Sequence, residues 1–325
     1  MSQQTVLYDA PGPKARRTTL IVSVVAAVAL IAALYFFVYR PLDSRGEFAM
    51  EKWGPLIDPG NESFKLLWER IWAGFKATLI AAGLAILASF VVGLLLAVLR
   101  VQLKELARRE FAGPGAGLLK ALSWTLNGIT RACVEVFRGT PVVVTIAFCW
   151  LGLPTLGIDF DNVLWYLVIG LAIYNSVVIG EILRSGMEGL PKGQTEAARA
   201  IGLRSFQTTR LVLLPQAIRI MLPALISQLV VVLKDTSLGF IIGYEEILRV
   251  STQVIQVLQN PIQMYLVIGA VYILLNYTLS KLAEYIQRRM SRVRRTAAPP
   301  VDATMSAVVG MDAASGVGGG GGSAA

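Results

Sequence analysis

A small set of charged and polar side chains interrupts the long apolar blocks of this chain of 325 residues. An ionisable side chain within such a block is a candidate functional residue, because removing it from water is costly. A guanidinium there could attract a carboxylate, and hydroxyl or amide groups could hydrogen-bond a polar ligand. The candidates for a pathway through the apolar region are Arg138, Thr140, Asn175, Ser176 and Gln228.

These candidates also have a structural interpretation. Arg138 could pair with Glu135, three residues earlier, or extend its guanidinium to the lipid headgroups. Asn175 and Ser176 could hydrogen-bond neighbouring helices and hold them together, and Gln228 has the same ambiguity. The sequence favours helix packing for Asn175 and Ser176 and leaves both interpretations of Arg138 open.

Several classes of chemistry lack the residues they need. The sequence contains no histidine, which excludes a Ser-His-Asp triad, a Cys-His pair and a His-ligated zinc or haem. Cys133 and Cys149 lie 16 positions apart in one apolar block, about 24 Å along a helix, which is too far for a disulfide. No G-x-x-x-x-G-K-S/T phosphate loop occurs. We therefore predict no catalytic residue, no metal site and no cofactor bound by this chain.

The elements that must position the candidates are membrane-spanning helices. Hydrophobic residues make up 55% of the chain and charged residues 16%, against about 25% charged in soluble domains. A bilayer-spanning helix needs about 20 mostly apolar residues. Six blocks meet this requirement, at residues 19–39, 71–99, 132–152, 162–183, 217–242 and 262–286. The sequence predicts an all-α membrane protein with six transmembrane helices.

The segments around these blocks complete the predicted domain organisation. The first block, 19–39, is purely apolar and is separated from the others by a polar stretch at 40–70. It is therefore predicted to be an accessory helix attached to a five-helix core at 71–290. Residues 1–18 form a short N-terminal segment. The tail at 291–325 is rich in Ala, Gly and Ser, cannot build a core and is predicted to be disordered.

Lysine and arginine residues in the loops predict the orientation, because cytoplasmic loops carry an excess of basic residues. The N-terminus, the tail and two alternate loops, 100–131 and 184–219, hold 20 basic residues, whereas the loops on the other side hold 6. Both termini are thus predicted to be cytoplasmic and residues 40–70 extracytoplasmic, in a multi-pass protein of the cell membrane. The net charge of +9 follows from this asymmetry; no nucleic-acid recognition module accompanies it.

The predicted cytoplasmic loop at about 186–215 has the clearest local pattern. A short helix is predicted to begin at Glu196 with Thr195 as its N-cap, and Gly202 then ends it. A second helical stretch follows and runs to Pro215. Composition alone would allow an ordinary amphipathic connector, but the small residues of the first helix would let another protein surface approach closely.

This loop resembles the EAA loop of ABC-importer permeases. The matching residues are, in order, Glu196-Ala197-Ala198, Gly202 and Val212-Leu213-Leu214-Pro215. Only Val212 departs from the family pattern, which has isoleucine there. Four further segments resemble the polar-amino-acid branch of that family, which imports histidine, glutamine and glutamate. They are VEVFRGTP at 134–141, EILRSG at 181–186, LPKGQ at 190–194 and LKDTSL at 233–238.

The resemblance covers about residues 70–290 and implies a fold and a function. The implied fold is the MetI-like permease core of five helices, here with one added N-terminal helix. The implied function is that of a non-catalytic membrane subunit of an ATP-driven importer. The substrate would be glutamate or a close relative, because residues 6–13 and the extra helix resemble the longer permease of glutamate importers. The loop residues that would dock on the ATPase are Glu196, Ala197, Ala198, Arg199, Gly202 and Leu203.

The resemblance also implies the partners. They are a cytoplasmic ABC ATPase dimer that binds ATP and Mg, a second permease subunit, and an extracytoplasmic amino-acid-binding protein. The extra helix favours a shorter five-helix paralogue as the second permease. Membrane lipid would surround the spans, and no nucleic-acid partner is expected.

Two other classes of function are weaker alternatives. An autonomous secondary transporter usually carries internal repeats and intramembrane carboxylates for proton or sodium coupling. Here no obvious repeat occurs, and the deep acids Glu135, Glu181 and Asp235 each have a basic residue nearby. A membrane enzyme would need histidine or a clustered acid pair. The secondary transporter therefore stands as the alternative to the ABC permease.

Overall fold

The computed structural model describes residues 12–111 and 115–295, and all the secondary structure in these ranges is helical. The α-helices in chain order are α1 Pro13–Leu34, α2 Arg40–Ser44, α3 Met50–Ile57, α4 Phe64–Arg108, α5 Ala116–Gly139, α6 Val142–Thr155, α7 Val163–Glu188, α8 Lys192–Ala200, α9 Ser205–Thr208, α10 Leu214–Asp235, α11 Ile247–Leu258 and α12 Pro261–Arg295. Two π-helical turns, Tyr35–Tyr39 and Thr209–Leu213, join α1 to α2 and α9 to α10. A 3-10 segment, Thr236–Ile242, follows α10. The prediction of an all-α protein is confirmed over the described ranges.

Five helical segments among the described residues are long and apolar enough to cross a bilayer. They are Pro13–Ser44, Phe64–Arg108, Val163–Glu188, Ser205–Ile242 and Pro261–Arg289. Helices α5 and α6 meet the same criteria only as a pair, and they are bent by 106° relative to each other. The predicted number of six spans is reached when this bent pair counts as one span.

The predicted third span, 132–152, is not one straight helix. Helix α5 ends at Gly139, α6 begins at Val142, and Pro141 between them has an extended backbone. Proline lacks a backbone N–H and biases the preceding residue toward extended conformations, so the helix breaks here. The predicted span is therefore divided between two helices, and α6, with 14 residues, is the straight apolar part.

The accessory helix is present and stands apart from the core. Helix α1, the π turn and α2 together form the candidate span Pro13–Ser44, which extends beyond the predicted 19–39. None of the residues in these three segments is buried. Apolar side chains lie on all sides of α1, a pattern that fits a helix surrounded by lipid or by another apolar surface.

The chain returns to the core at α3. The Asn260 side-chain amide donates to the Lys52 carbonyl over 3.1 Å, and the Gln263 amide donates to the Glu47 carbonyl over 2.5 Å. Leu56 is buried in an apolar cluster with residues from the first turns of α4, α11 and α12. The segment predicted to be extracytoplasmic is therefore folded onto the core.

The centre of the bundle is the contact of α4 and α6 with α7, where glycines permit close approach. A Cβ built on Gly93 of α4 would lie 2.8 Å from the carbonyl oxygen of Ser176 on α7. A Cβ on Gly170 of α7 would lie 2.8 Å from the Cα of Ile146 on α6. Because these distances are too short for real Cβ atoms, small residues set the helix spacing here.

Part of the predicted disordered tail is helical. Helix α12 extends to Arg295, so residues 291–295, which were predicted to belong to a disordered tail, are helical. Residues 1–11 and 296–325 lie outside the described residues, and the predictions for them remain predictions. Below, the end of the bundle that carries the α7–α10 connection is called the loop end, and the end that carries α3 and α11 is called the opposite end.

Candidate functional site

The connection between α7 and α10 begins with the short helix α8. This helix spans Lys192–Ala200, and Pro191 stands at its N-cap. It therefore begins earlier than the predicted start at Glu196, and Thr195 lies inside the helix rather than at its N-cap. A proline at this position suits a helix start, because its missing N–H would have no partner in the first turn.

Gly202 ends α8 as the sequence predicts. Its N–H donates to the Arg199 carbonyl over 2.9 Å, and the Leu203 N–H donates to the Ala198 carbonyl over 3.1 Å. These two bonds close the C-terminus of a helix around a left-handed residue, and the φ of Gly202 is +85°. A Cβ on Gly202 would meet nothing within 4 Å, so the backbone conformation alone favours glycine here.

The predicted docking residues divide into a surface set and a buried one. Those at the surface are Glu196, Ala197, Arg199 and Gly202. Leu203 is half-buried, and Ala198 is only 4% exposed. The methyl group of Ala198 thus packs inside this chain and is not part of the exposed face of α8. A partner at α8 would meet the surface set.

The helical stretch predicted after Gly202 is present but longer than expected. Helix α9, the π turn and α10 form one continuous segment, Ser205–Ile242 with its 3-10 end. Pro215 lies in the first turn of α10 and does not end the helix. The wider π turn directly before it accommodates the missing N–H and the proline ring.

Two residues of α4 that the sequence did not single out hold this loop. Arg199 Nη2 lies 2.6 Å from Glu105 Oε1, and the Ser205 hydroxyl is hydrogen-bonded to the other carboxylate oxygen. The Gln102 side chain bridges Ser205, at 2.9 Å, and Thr209, at 2.8 Å. Gln102 and Glu105 share one face of α4. Their partners lie 94 to 107 positions away, so no local pattern in the chain indicates these contacts.

A cluster of charged side chains joins α4 to α7 at the loop end. Glu181 pairs with Arg184 on its own helix and with Arg100 on α4. Glu188 lies 2.8 Å from both Arg184 and Lys104. Helical spacing predicts the pairs within α7, whereas the fold adds the two basic residues of α4.

Two predicted pathway residues lie at the break between α5 and α6. Arg138 is exposed in the last turn of α5, and it forms no ion pair with Glu135 or with any other described residue. The Thr140 hydroxyl donates to the Val136 carbonyl over 2.9 Å and so satisfies the end of α5. The pairing interpretation of Arg138 is therefore not supported, and its guanidinium is available to another group.

The other three predicted pathway residues belong to the packing of α7 and α10. Asn175 is fully buried, and its amide group donates to the Leu171 carbonyl over 3.0 Å. Its side-chain oxygen accepts from Gln228 over 2.7 Å. The buried Ser176 hydroxyl donates to the Ile173 carbonyl over 2.9 Å. Asn175 and Ser176 thus have their polar groups satisfied by neighbouring helical residues.

A cleft of about 500 Å³ opens at the opposite end between α4, the start of α7 and the start of α11. Its lining includes Arg70, Asp161 and Glu245, so side chains of both charge signs face the space, with Tyr244 beside them. Mixed charge of this kind can accommodate a polar zwitterion. The sequence did not single out these residues, because they are far apart in the chain. Within the described ranges no three Cys, Asp or Glu side chains form a possible metal site.

Comparison with known proteins identifies the family. The sequence matches the family described as "Binding-protein-dependent transport system inner membrane component" over residues 113–292, more than half of the chain. The chain belongs to this family. The matched range includes α8, the break between α5 and α6, and most of α12, whereas α4 with Gln102 and Glu105 precedes it.

Two relatives indicate which branch of this family the chain belongs to. The "Glutamate transport system permease protein GluD" of Corynebacterium glutamicum is 35% identical over 251 residues, 77% of this permease and 83% of the relative. The "Glutamine transport system permease protein GlnP" of Escherichia coli is 30% identical over 231 residues, 69% of this permease and 97% of the relative. The chain is a multi-pass membrane permease of an ABC importer for polar amino acids.

Solved structures show the same fold. An amino acid ABC transporter crystallised with histidines aligns with a TM-score of 0.55 and 28% identity, over 70% of this permease and 97% of that chain. A chain of the inward-facing MetNI methionine ABC transporter aligns with a TM-score of 0.56 and 21% identity, over 71% and 99%. The MetI-like prediction is confirmed, and nothing in these comparisons supports an autonomous secondary transporter.

Proposed function

We propose that this permease forms the membrane pathway of an ATP-driven importer of glutamate or a close relative, and that it is driven through the α8 loop. The observation that carries the proposal is the exposed face of α8, formed by Glu196, Ala197 and Arg199 at the loop end. The left-handed turn at Gly202 closes the end of this helix. With Ala197 at the surface, a partner can approach the helix closely.

We assign three protein partners to this permease. A cytoplasmic ABC ATPase dimer would dock on α8 and would itself hold ATP and Mg. An extracytoplasmic amino-acid-binding protein would deliver substrate at the opposite end, where the mixed-charge cleft opens. A second permease subunit, a shorter five-helix paralogue, would complete the pathway. Both termini of this chain would then be cytoplasmic, in agreement with the 20-to-6 distribution of basic residues.

The choice of substrate is supported by two kinds of observation. One relative is named for glutamate transport and another for glutamine transport. Within this chain, Arg138 offers an unpaired guanidinium at the break between α5 and α6, which suits a substrate carboxylate. Thr140 lies beside it. Asn175, Ser176 and Gln228 support the pathway indirectly by holding α7 to α10.

The test is purification of the tagged permease from its native membrane, followed by reconstitution in liposomes. We expect a protein with a phosphate-binding loop to co-purify, and uptake of radiolabelled L-glutamate to require ATP. Competition by unlabelled glutamate, glutamine and histidine would identify the preferred substrate. Uptake that is driven by a proton or sodium gradient without ATP would contradict the proposal.

A further inference from the structure

Glu105, near the end of α4, binds both sides of the Gly202 turn. One carboxylate oxygen lies 2.6 Å from Arg199 in the last turn of α8, and the other accepts a hydrogen bond from Ser205 at the start of α9. Because the turn separates these two residues, a single carboxylate fixes the angle between the two arms of the loop.

This contact is a network rather than a lone surface pair. An exposed ion pair contributes little by itself, and the Arg199 side chain is 56% exposed against 27% for Glu105. The Ser205 bond and the Gln102 bridge from Ser205 to Thr209 add neighbouring polar contacts that share the cost of ordering. The described residues offer one other side-chain bond from α8 to a long helix, a 3.2 Å bond between the neutral amides of Gln194 and Gln216.

Helix α4 connects this network with the opposite end of the molecule. It is one continuous helix over Phe64–Arg108, about 67 Å long. Near its other end, Gly74 packs so tightly on α11 that a Cβ would lie 2.9 Å from the Cα of Ile247. Arg70 of the same helix lines the mixed-charge cleft. A displacement of α4 at Glu105 would therefore move Arg70 and the backbone that packs on α11 beside that cleft.

We propose that Glu105 is a positioning residue that transmits movement of the α8 loop to α4 and so to the cleft at the opposite end. This inference rests on the proposed docking of an ATPase at α8. Glu105 acts through Arg199 and Ser205, and it need not touch the ATPase or the substrate. Its removal should therefore spare assembly and ATP hydrolysis but weaken their connection to transport.

The experiment compares reconstituted importers that carry Glu105→Ala or the isosteric Glu105→Gln. The ATPase that co-purifies per permease should stay within about twofold of wild type. The L-glutamate transported per ATP hydrolysed should fall by about tenfold, which corresponds to the loss of a hydrogen-bonded charge. Glu284→Ala is the matched control, because Glu284 forms an exposed ion pair with Lys281 on α12. It should leave the ratio unchanged.

A second variant tests whether the two residues act as one unit. Ser205→Ala alone should lower the ratio by about threefold. Added to Glu105→Ala, it should cause a smaller loss than it does alone, because the bond to Glu105 is already broken and only the bond to Gln102 remains. Three outcomes would each overturn the inference. Glu105→Ala could give the same ratio as Glu284→Ala, the losses of the two single variants could simply add, or the ATPase could fail to co-purify with Glu105→Ala. Ala197→Asp in the same assay separates the two proposals: if it removes the ATPase while Glu105→Ala acts like wild type, only the transmission through Glu105 is wrong.

Discussion

Gln228 on α10 donates a hydrogen bond to the side-chain oxygen of Asn175 on α7 over 2.7 Å. Asn175 is fully buried, and its side-chain amide donates one hydrogen bond to the Leu171 carbonyl. Two amides that are paired between helices, away from water, are costly to separate. The pair therefore helps to hold α7 to α10.

The first prediction concerns this pair. Asn175→Ala and Gln228→Ala should each lower the thermal stability of the detergent-purified permease, and a double-mutant cycle should give a coupling of about 0.6–1.7 kcal/mol. The KM for glutamate uptake should stay close to the wild-type value in all three variants. Additive losses of stability together with a raised KM would place the two residues in the pathway instead.

The second prediction concerns Arg138, which has no carboxylate partner among the described residues. If its guanidinium binds a substrate carboxylate, Arg138→Gln should raise the KM for glutamate by about tenfold or more, and Arg138→Lys should give an intermediate value. The amount of co-purifying ATPase should not change in either variant. A complex that fails to assemble in Arg138→Gln would show that the role of this arginine is structural.

The third prediction concerns orientation. In a background without Cys133 and Cys149, a cysteine placed at Asp58 should react with an impermeant maleimide in intact cells. A cysteine at Gly193 should react only after the membrane is opened. Both positions are exposed, so the difference would report the side of the membrane. Labelling of the Gly193 position in intact cells would reverse the proposed topology.

The fourth prediction is a dependence of stability on pH at α3. Hydrogen bonds from Lys52 and Gln263 lower the pKa of Glu47 below its ordinary value of 4.5. Since the folded-state pKa is the lower one, this stabilisation is present above pH 4.5 and is lost as the pH falls through the folded-state pKa. Glu47→Gln should therefore lower the melting temperature at neutral pH but have progressively less effect in acid. A difference in melting temperature that does not shrink in acid would refute this assignment.

The features that the sequence could predict are those that depend on neighbours in the chain. The left-handed turn at Gly202 follows from its place after a short helix, and the number of spans follows from the length of the apolar blocks. Pro141 also marks the break in the third block. A count of apolar residues, however, does not report a bend of 106°.

The features that the sequence could not predict depend on residues far apart in the chain. Glu105 and Arg199 are separated by 94 positions, and nothing local to either indicates that they meet. The burial of Ala198 beside the exposed Ala197 depends on how α8 is rotated against the π turn. That rotation depends on contacts with later parts of the chain, such as the hydrogen bond between Gln194 and Gln216.

The central claim is that the surface of α8 docks on an ATPase, and Ala197→Asp tests it most cleanly. Ala197 is exposed, so the substitution should change folding by only about 0.5 kcal/mol, unlike a change at the buried Ala198. Ala49→Asp is the control, because Ala49 is an exposed N-cap at the opposite end, where aspartate is favoured.

The deciding measurement is the amount of ATPase that co-purifies with each variant, expressed per permease molecule inserted in the membrane. We predict that Ala197→Asp reduces this amount by about tenfold, because a carboxylate would be buried without a partner in a close contact. Ala49→Asp should match the wild type. Equal recovery of the ATPase with both variants would contradict the docking of an ATPase on α8.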